Sequence, residues 1–274
     1  MKKQREGGPV IVVLSDLHVG STKGLMPESY TTVEGVEVRQ NVLQQYLWQC
    51  WIRAQNWIKG VVGEDSFILV LNGDLIEGLH HGTKEIWSAA AEDQIKAAYD
   101  VLEPLAGAAE KTFVVRGTEC HTHNMEAGLG AMLGAVQNNA LKQPAFDRLT
   151  LQAHGTICVF RHHIGTSMRR ATSGTALASN LAEEQLEAAL NGERIPQVLV
   201  CSHRHKPGIY RDEKGMVMVT PAWQFLTRHG HKVVGGARCK PGVQILDWRG
   251  LGHGTIPHVH EHYYAAQQPE IIPV

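Results

Sequence analysis

Five short segments of the sequence carry the residue types that bind metal ions and transfer protons. They are Asp16-Leu-His18, Asn72-Gly-Asp74, Gly117-Thr-Glu-Cys-His121, His162-His163 and His203-Arg-His205. All except the fourth follow apolar runs that are typical of buried strands. Because strand ends are rigid, several of them can hold side chains close to one point. Carboxylate oxygens and imidazole nitrogens gathered there suit a pair of divalent metals, and a two-metal site suits hydrolysis of phosphate esters.

The spacing within these segments indicates what each residue can contribute. Asp16 and His18 are two residues apart, so a kinked loop can direct both side chains at one ion. Asp74 follows Gly73, which permits a sharp turn, and its two oxygens allow one carboxylate to bridge two cations. The other candidate ligands are one acid and a group of histidines: Glu119, His162 or His163, His203 and His205. Mixed sets of this kind hold Mn, Fe, Zn or Ni, and the ligand types alone do not choose among these metals.

Each segment taken alone has a simpler interpretation, as a turn residue or a solvated loop histidine. Asp-x-His and His-x-His patterns arise by chance, and a Gly-Asp pair is common in turns. Their succession along the chain, mostly at strand ends, is what favours a metal site, because packing gives no reason for so many ligand types at these positions.

The elements between these segments alternate between strands and helices. Continuous apolar runs predict buried strands, and an apolar period near 3.6 residues predicts helices. The predicted strands before ligand segments cover 10–14, 67–71, 111–115 and 198–201, and the predicted helices cover about 39–61, 88–109, 125–141 and 176–191. Predicted hairpins lie within 149–160 and 209–220. The pattern indicates an α/β fold in one domain, residues 1–274, with its core at about 10–250 and a tail rich in His and Pro at about 252–274.

Composition limits the functions that the chain can have. Its 274 residues include 26 Lys and Arg against 27 Asp and Glu, a formal net charge of −1. A protein that grips nucleic acid through a broad basic face is usually more positive, so a nucleic-acid role must depend on local charge or on metal. The five cysteines include no C-x-x-C pair, which argues against a disulfide framework or a zinc ribbon and fits a reducing cytosol. We find no signal peptide or membrane span in the sequence and expect a soluble, cytoplasmic protein without a membrane partner.

Over roughly residues 10–210 the motifs resemble those of the calcineurin-like metallophosphoesterase family. The matching segments are Ser15-Asp-Leu-His18, Asn72-Gly-Asp74, Arg116-Gly117 with the turn that follows, His162-His163 and Ser202-His-Arg-His205. The resemblance implies a four-layer αββα sandwich of two mixed β-sheets flanked by helices. It also implies two divalent metal ions on loops at one edge, with Mn the first choice and Fe, Zn or Ni as alternatives.

The resemblance assigns the ligands by motif position. Asp74 would bridge the two ions. The other ligands fall into two sets, with Asp16, His18 and His205 for the first ion, and His203 with His162, in preference to His163, for the second.

One segment departs from the family pattern, which is usually Gly-Asn-His followed by an acid. Here Gly117 is followed by Thr118 and Glu119, and the histidine is displaced to His121. In one alternative, Glu119 takes over the ligand role of the asparagine and His121 still reaches the substrate as general acid. In the other, Thr118 occupies the asparagine position and the site is impaired. We favour the first alternative, because a carboxylate is a better metal ligand than a hydroxyl.

The resemblance and the ligand set imply one mechanism. Two metals share a water, lower its pKa and give a hydroxide that attacks phosphorus in line, while a protonated His121 beside the second metal donates to the leaving oxygen. The start Ser-Asp-Leu-His-Val-Gly resembles the branch of the family that includes DNA-processing nucleases, so we expect a phosphodiesterase or nuclease that acts on DNA or RNA. Candidate substrate contacts are His80, His81, Arg161 and Arg204, because histidines and arginines near the site can pair with phosphate oxygens.

Two other functions fit the same motifs. One is a phosphomonoesterase that acts on nucleotides or phosphoproteins, and a deep pocket would favour it over a nuclease with an open groove. The other is a binding subunit that keeps the fold without turnover, which the altered turn after Gly117 supports. The sequence lacks the clustered His-x-His-x-Asp-His segment of lactamase-like zinc hydrolases, the Gly-x-Ser-x-Gly elbow and the phosphate-binding loop.

Overall fold

The computed structural model describes residues 7–80, 82–122, 125–165, 173–228 and 240–265. Within these residues, strands form two five-stranded sheets and a two-stranded hairpin. The spatial order in the first sheet is β12 (His258–Tyr263), β11 (Gly242–Asp247), β1 (Val10–Leu14), β4 (Ile68–Asn72) and β5 (Lys111–Val115). Strands β1, β4 and β5 run parallel, so their carboxyl ends lie at one edge of the sheet.

The second sheet repeats this arrangement. Its spatial order is β6 (Leu149–Ala153), β7 (Thr156–Phe160), β8 (Val198–Cys201), β10 (Met216–Val219) and β9 (Gly208–Arg211). Strands β7, β8 and β10 run parallel, while β6 and β9 pair antiparallel at the outer positions. The carboxyl ends of β7 and β8 therefore also share an edge, and the segments with His162 and His203 follow these two strands.

Helices cover the outer faces of the sheets. In the described part of the chain they are α1 (Val42–Val62), α2 (Ala91–Ala108), α3 (Glu119–Thr122), α4 (Met125–Met132) and α5 (Ser173–Leu190). A capping box fixes the start of α1: the Asn41 side chain accepts from the Gln44 backbone N at 3.1 Å, and the Gln44 side chain accepts from the Asn41 backbone N at 3.1 Å. This reciprocal pair satisfies two backbone donors that the helix itself leaves unpaired.

Alternate residues of β1 divide the interior into layers. Val10 and Val12 pack with apolar residues of α1 and α2, whereas Ile11 and Val13 pack against the second sheet. On the far side of that sheet, Leu177 of α5 packs against its outer face. The order helix, sheet, sheet, helix confirms the four-layer αββα sandwich that the motifs led us to expect.

Three segments differ from the sequence prediction. Between the predicted strand at 10–14 and the first helix, where no element was predicted, the chain forms a hairpin of β2 (Ser29–Thr31) and β3 (Glu37–Arg39). The helix predicted over 125–141 ends at Met132, and Gly134 has a φ of 66° that a right-handed helix cannot continue. The tail at about 252–274, for which no strand was predicted, contains β12. This edge strand pairs with β11 along six residues.

The cysteines agree with the interpretation drawn from composition. Cys158 and Cys201 are buried free thiols, which agrees with the argument against a disulfide framework. In the ranges that the structure describes, no helix combines the length and apolarity needed to cross a membrane. The assignment of residues 1–274 to one domain stays a prediction.

Truncation of Phe160 tests the core between the sheets. Its side chain is fully buried in that cluster, so we expect Phe160→Ala to lower the free energy of unfolding by about 3–5 kcal/mol. Leu190→Ala is the matched control, because Leu190 is 71% exposed and its loss should change stability by less than about 0.5 kcal/mol. Urea denaturation followed by circular dichroism measures both, and equal midpoints for the two variants would contradict the assigned core.

Candidate metal centre

Six of the seven predicted ligand side chains, all except Glu119, converge where the carboxyl edges of the two sheets meet. Their ligand atoms form two groups, each with its atoms within 4.8 Å of one another: Asp16, His18 and His205, called here the first group, and Asp74, His162 and His203, called the second group. Both sheets contribute to each group, because Asp16, His18 and Asp74 follow strands of the first sheet and the other members follow strands of the second.

The backbone at these positions is strained. Asp16, His18, Asp74, His203 and His205 all have positive φ, between 48° and 71°. Residues other than glycine rarely adopt this conformation. It costs about 1–3 kcal/mol per residue and persists only where the surrounding structure enforces it. Here the enforcement includes backbone hydrogen bonds from Asp16 N to Gly73 O at 2.9 Å and from His18 N to Asp74 O at 3.0 Å. The kinked turns direct side chains toward a common point, as the Asp-x-His spacing predicted.

In the first group, Nε2 of His205 lies 3.2 Å from Oδ1 of Asp16 and 3.1 Å from Nε2 of His18. Glu77 orients the His18 ring, with Oε2 2.7 Å from Nδ1. Because a carboxylate only accepts, Nδ1 carries a proton and the lone pair of the neutral ring lies on Nε2, toward the group. Although burial opposes the charged ring, Glu77 and Asp74 raise the pKa of His18 to about 8. The first group therefore attracts positive charge.

In the second group, Oδ2 of Asp74 lies 2.9 Å from Nε2 of His162 and 3.9 Å from Nδ1 of His203. Nδ1 of His162 donates to the Asn72 carbonyl at 2.8 Å, so the neutral ring would turn a lone pair toward the carboxylate. Burial opposes a charge on this ring too, yet Asp74 raises the pKa of His162 to about 10. A cation between Nε2 of His162 and Oδ2 of Asp74, either a proton or a metal ion, removes the repulsion between the ring's lone pair and the carboxylate.

Unpaired buried atoms show that the residues fit metal ions. Among the described residues, Oδ1 of Asp16 and Nε2 of His162 are buried and make no hydrogen bond of good geometry, although each lies close to another ligand atom, Nε2 of His205 at 3.2 Å and Oδ2 of Asp74 at 2.9 Å. Leaving such atoms unsatisfied costs about 1–3 kcal/mol each. Divalent ions would satisfy both atoms, and a mixture of carboxylates with imidazoles is a donor set that such ions accept.

The turn after Gly117 places the two residues of the alternatives, Thr118 and Glu119, in different surroundings. Oγ1 of Thr118 lies 3.1 Å from Oδ2 of Asp74 and 3.1 Å from Nδ1 of His203. Glu119 is exposed at the start of α3 and belongs to neither ligand group. The structure thus places Thr118, and not Glu119, beside the second group, and a ligand role for Glu119 stays a prediction. The physical reason is the direction of α3, which begins at Glu119 and turns its side chain to solvent.

His121 lies near the site but on the other side from the one expected. Its ring centroid is 5.0 Å from that of His18, and its Nδ1 donates to the Glu77 carbonyl at 2.8 Å. Burial and the neighbouring His18 lower the pKa of His121 to about 4, so the ring is neutral near pH 7. The sequence placed a protonated His121 beside the second metal, whereas the structure places a neutral ring beside the first group.

The predicted substrate contacts divide into near and distant residues. Nε2 of His80 is 2.9 Å from Oε1 of Glu77, and its ring centroid is 4.1 Å from that of His121. The Arg161 guanidinium pairs with Glu184 of α5 at 3.3 Å, and its role as a phosphate contact stays a prediction.

The remaining predicted positions are Arg204, His163 and His81. The Arg204 side chain donates to the Ile164 carbonyl at 3.4 Å rather than to a ligand. His163 is exposed, 4.7 Å from the His203 ring between centroids, while its neighbour His162 is buried in the second group. His81 lies outside the described residues.

Sequence reasoning missed two buried acids that support the ligands. Glu77 binds Nδ1 of His18 and accepts from Nε2 of Gln224 at 2.8 Å. Glu126 accepts from the backbone N of Leu75 at 3.0 Å and of Gly117 at 2.7 Å, and so fixes the two turns that carry Asp74 and Thr118. Glu77 could have been found as an acid three residues after Asp74, but no local signal marked Glu126 within its helix.

Comparisons with known proteins give fold-level likeness only. No family model matches the chain, and no curated protein matches it. The structure of Vacuolar Protein Sorting 29 from Cryptosporidium parvum matches with 11% identity, 95% coverage of this chain, 100% coverage of that chain and a TM-score of 0.45. An archaeal phosphodiesterase matches with 10% identity, 93% coverage of this chain, 99% coverage of that chain and a TM-score of 0.43. A hypothetical protein from Pyrococcus horikoshii matches with 10% identity, 94% coverage of this chain, 89% coverage of that chain and a TM-score of 0.47. The αββα fold expected from the motifs is confirmed by this chain's own strand order, and these likenesses decide neither its activity nor its partners.

Gly117→Ala tests the packing of the turn against Asp74. A Cβ at position 117 would lie 2.2 Å from both the backbone N and Oδ1 of Asp74, so we expect the carboxylate to move and the affinity for Mn²⁺ to fall by about 10–100-fold. Gly128→Ala is the control, because a Cβ there meets nothing within 4 Å. Isothermal titration of metal-stripped protein with Mn²⁺ measures both, and unchanged affinity in Gly117→Ala would refute the proposed constraint.

Glu77→Gln tests the orientation of His18. The substitution keeps the size of the side chain but replaces the acceptor at Nδ1 by an amide, which should weaken Mn²⁺ binding by about 10–100-fold. The exposed Glu183→Gln in α5 changes charge equally and should bind as the parent protein does. Metal content after equilibrium dialysis, measured by atomic absorption, decides between these expectations.

Proposed function

We propose that this protein is a metal-dependent phosphoric ester hydrolase that cleaves phosphodiesters, with nucleic acid as its substrate class. The observation that carries the proposal is the position of Asp74 between the two ligand groups. Its Oδ2 lies 4.0 Å from Nε2 of His18 and 2.9 Å from Nε2 of His162. One carboxylate thus faces nitrogen ligands from both groups, which is the arrangement that two neighbouring ions require.

The residues that would hold two divalent ions are the two ligand groups, with Asp74 shared between them. Mn²⁺ is the metal proposed first, and Fe, Zn or Ni accept the same donors. Such ions, when bound, supply Lewis acidity toward a phosphoryl group and lower the pKa of water.

The chain's own residues position the substrate and handle protons. The strained turns hold the ligand side chains rigidly, so little reorganisation accompanies substrate binding. In the neutral His121 ring, Nδ1 donates to the Glu77 carbonyl, so Nε2 carries the lone pair that can take up the proton lost by the attacking water and pass it to the leaving oxygen. His80 stands beside this ring and is the proposed contact for a phosphate oxygen.

Accessibility of the ligand side chains supports a diester substrate. His203 is 35% exposed and His205 is 19% exposed, so the site opens toward solvent at the side where the second sheet contributes. A phosphodiester strand held mainly at the scissile group also agrees with a formal net charge of −1, since no broad basic face is then needed. A cytoplasmic location belongs to the same proposal.

Hydrolysis of paired chromogenic substrates tests the proposed function. Metal-stripped protein with Mn²⁺ added back should cleave the diester bis-p-nitrophenyl phosphate faster than the monoester p-nitrophenyl phosphate. Asp74→Asn should reduce the diester rate to background, because the shared carboxylate loses its charge. Asp212→Asn, in the exposed turn between β9 and β10, is the matched control and should keep the full rate.

Each other outcome points to a definite alternative. Preference for the monoester would identify a phosphatase. Absence of turnover with either substrate, although Mn²⁺ binds, would identify a binding protein that keeps the fold, a function that the hydroxyl of Thr118 in place of a stronger ligand favours. If the diester is cleaved, single-stranded and duplex DNA and RNA are assayed next. Failure to cleave any of these four would limit the substrate class to small diesters.

A further inference from the structure

The turn after Gly117 makes the two ligand groups chemically unequal. We propose that Thr118 supplies the second group with a neutral hydroxyl ligand, so that this group binds its ion more weakly than the first and loses it reversibly at low metal concentration. The inference rests on the proposed function only in requiring that two ions bind.

The position of the hydroxyl is the first observation. Oγ1 of Thr118 lies 3.1 Å from Oδ2 of Asp74 and 3.1 Å from Nδ1 of His203, so it faces the same point as these two ligand atoms. The backbone holds it there, because the Thr118 N donates to Oδ1 of Asp74 at 2.6 Å. The Thr118 oxygen is thus fixed beside the second group by the same residue that the two groups share.

The charges of the two groups are the second observation. The first group contains its own carboxylate, Asp16, besides the shared Asp74, whereas the second contains no carboxylate except Asp74. A neutral hydroxyl is a weaker ligand for a divalent cation than a carboxylate. The second group therefore offers a cation one carboxylate ligand fewer than the first.

The hydrogen bonds behind the ligand rings add to this difference. His18 of the first group is backed by the buried carboxylate of Glu77 at 2.7 Å, and a carboxylate behind an imidazole raises its strength as a ligand. His162 of the second group is backed by the neutral Asn72 carbonyl at 2.8 Å. Ligand charge and ring support thus act in the same direction.

Unequal affinity gives the protein a response to metal supply. At low free metal the first group would be filled and the second empty, so the shared Asp74 would hold one ion. Hydrolysis, which by the proposed function needs both ions, would then follow occupancy of the second group. The midpoint of activation by Mn²⁺ would equal the dissociation constant of the second group.

Metal binding without catalysis tests this inference. Titration of metal-stripped protein with Mn²⁺ should resolve two classes of site that differ by at least about tenfold in affinity, and gel filtration should leave one ion per chain. Electron paramagnetic resonance should show an isolated Mn²⁺ signal at one equivalent and an exchange-coupled signal at two. Two sites of equal affinity would overturn the inference while leaving the proposed function intact, whereas no binding at either site would refute both.

Four substitutions assign the difference to Thr118. Thr118→Val removes the oxygen at constant shape and should abolish the weak class while the strong class is kept. Thr118→Asn supplies an amide oxygen and should tighten the weak class by about tenfold or more. Thr118→Ser keeps the hydroxyl and should titrate as the parent protein does, which controls for folding. Glu119→Gln should have no effect; loss of the weak class in Glu119→Gln, but not in Thr118→Val, would assign the ligand to Glu119 and overturn the proposal.

Discussion

Ligands from two separate sheets can meet at one point only if the sheets keep a fixed offset at their carboxyl edges. A buried chain of polar side chains fixes that offset. Oγ of Ser15 lies 2.5 Å from Oγ1 of Thr220, Oγ1 of Thr220 lies 2.7 Å from Oγ of Ser202, and Nδ2 of Asn72 donates to Oγ of Ser202 at 2.6 Å. This series of hydrogen bonds begins after β1, passes to the second sheet after β10 and β8, and returns to the first sheet at the end of β4. Its members are buried, so water does not compete for these hydrogen bonds.

Both ends of this chain reach the ligand groups. Ser15 donates to Oδ2 of Asp16 at 2.6 Å, and the carbonyl of Asn72 accepts from the His162 ring. A shift of one sheet against the other would therefore break contacts in the first and second group together. This connection explains how strained turns persist at five ligand positions, since packing between the sheets determines where each strand ends.

The same edge concentrates negative charge in the interior. Asp16, Asp74, Glu77 and Glu126 are all at most 1% exposed, and burying ionised carboxylates is costly unless they are paired. Backbone donors compensate Glu126, although burial and the nearby Asp74 still raise its pKa to about 7. Asp16 and Asp74 depend instead on cations, which the histidines around them can supply as protons or share as metal ligands. The stability of the fold and its affinity for metal are thus coupled through the same carboxylates.

Local features of the sequence were enough to predict the strands that precede the ligand segments and most ligand candidates, because apolar runs and the residues just after them lie in short segments, whereas the four layers were implied by the family resemblance. Asp16, His18, Asp74, His203 and His205 all lie at strand ends, and parallel strands place such ends at a common edge. The tertiary structure alone decided which side chain after Gly117 faces the second group. Thr118 and His203 are 85 positions apart, and the direction of α3, which turns Glu119 to solvent, is set by packing and not by ligand strength. The same holds for Arg161, which pairs with Glu184 of α5, and for Glu126, which joins two turns from a helix without a local signal. Contacts of this kind depend on how the sheets and helices pack, and no short segment of sequence contains that information.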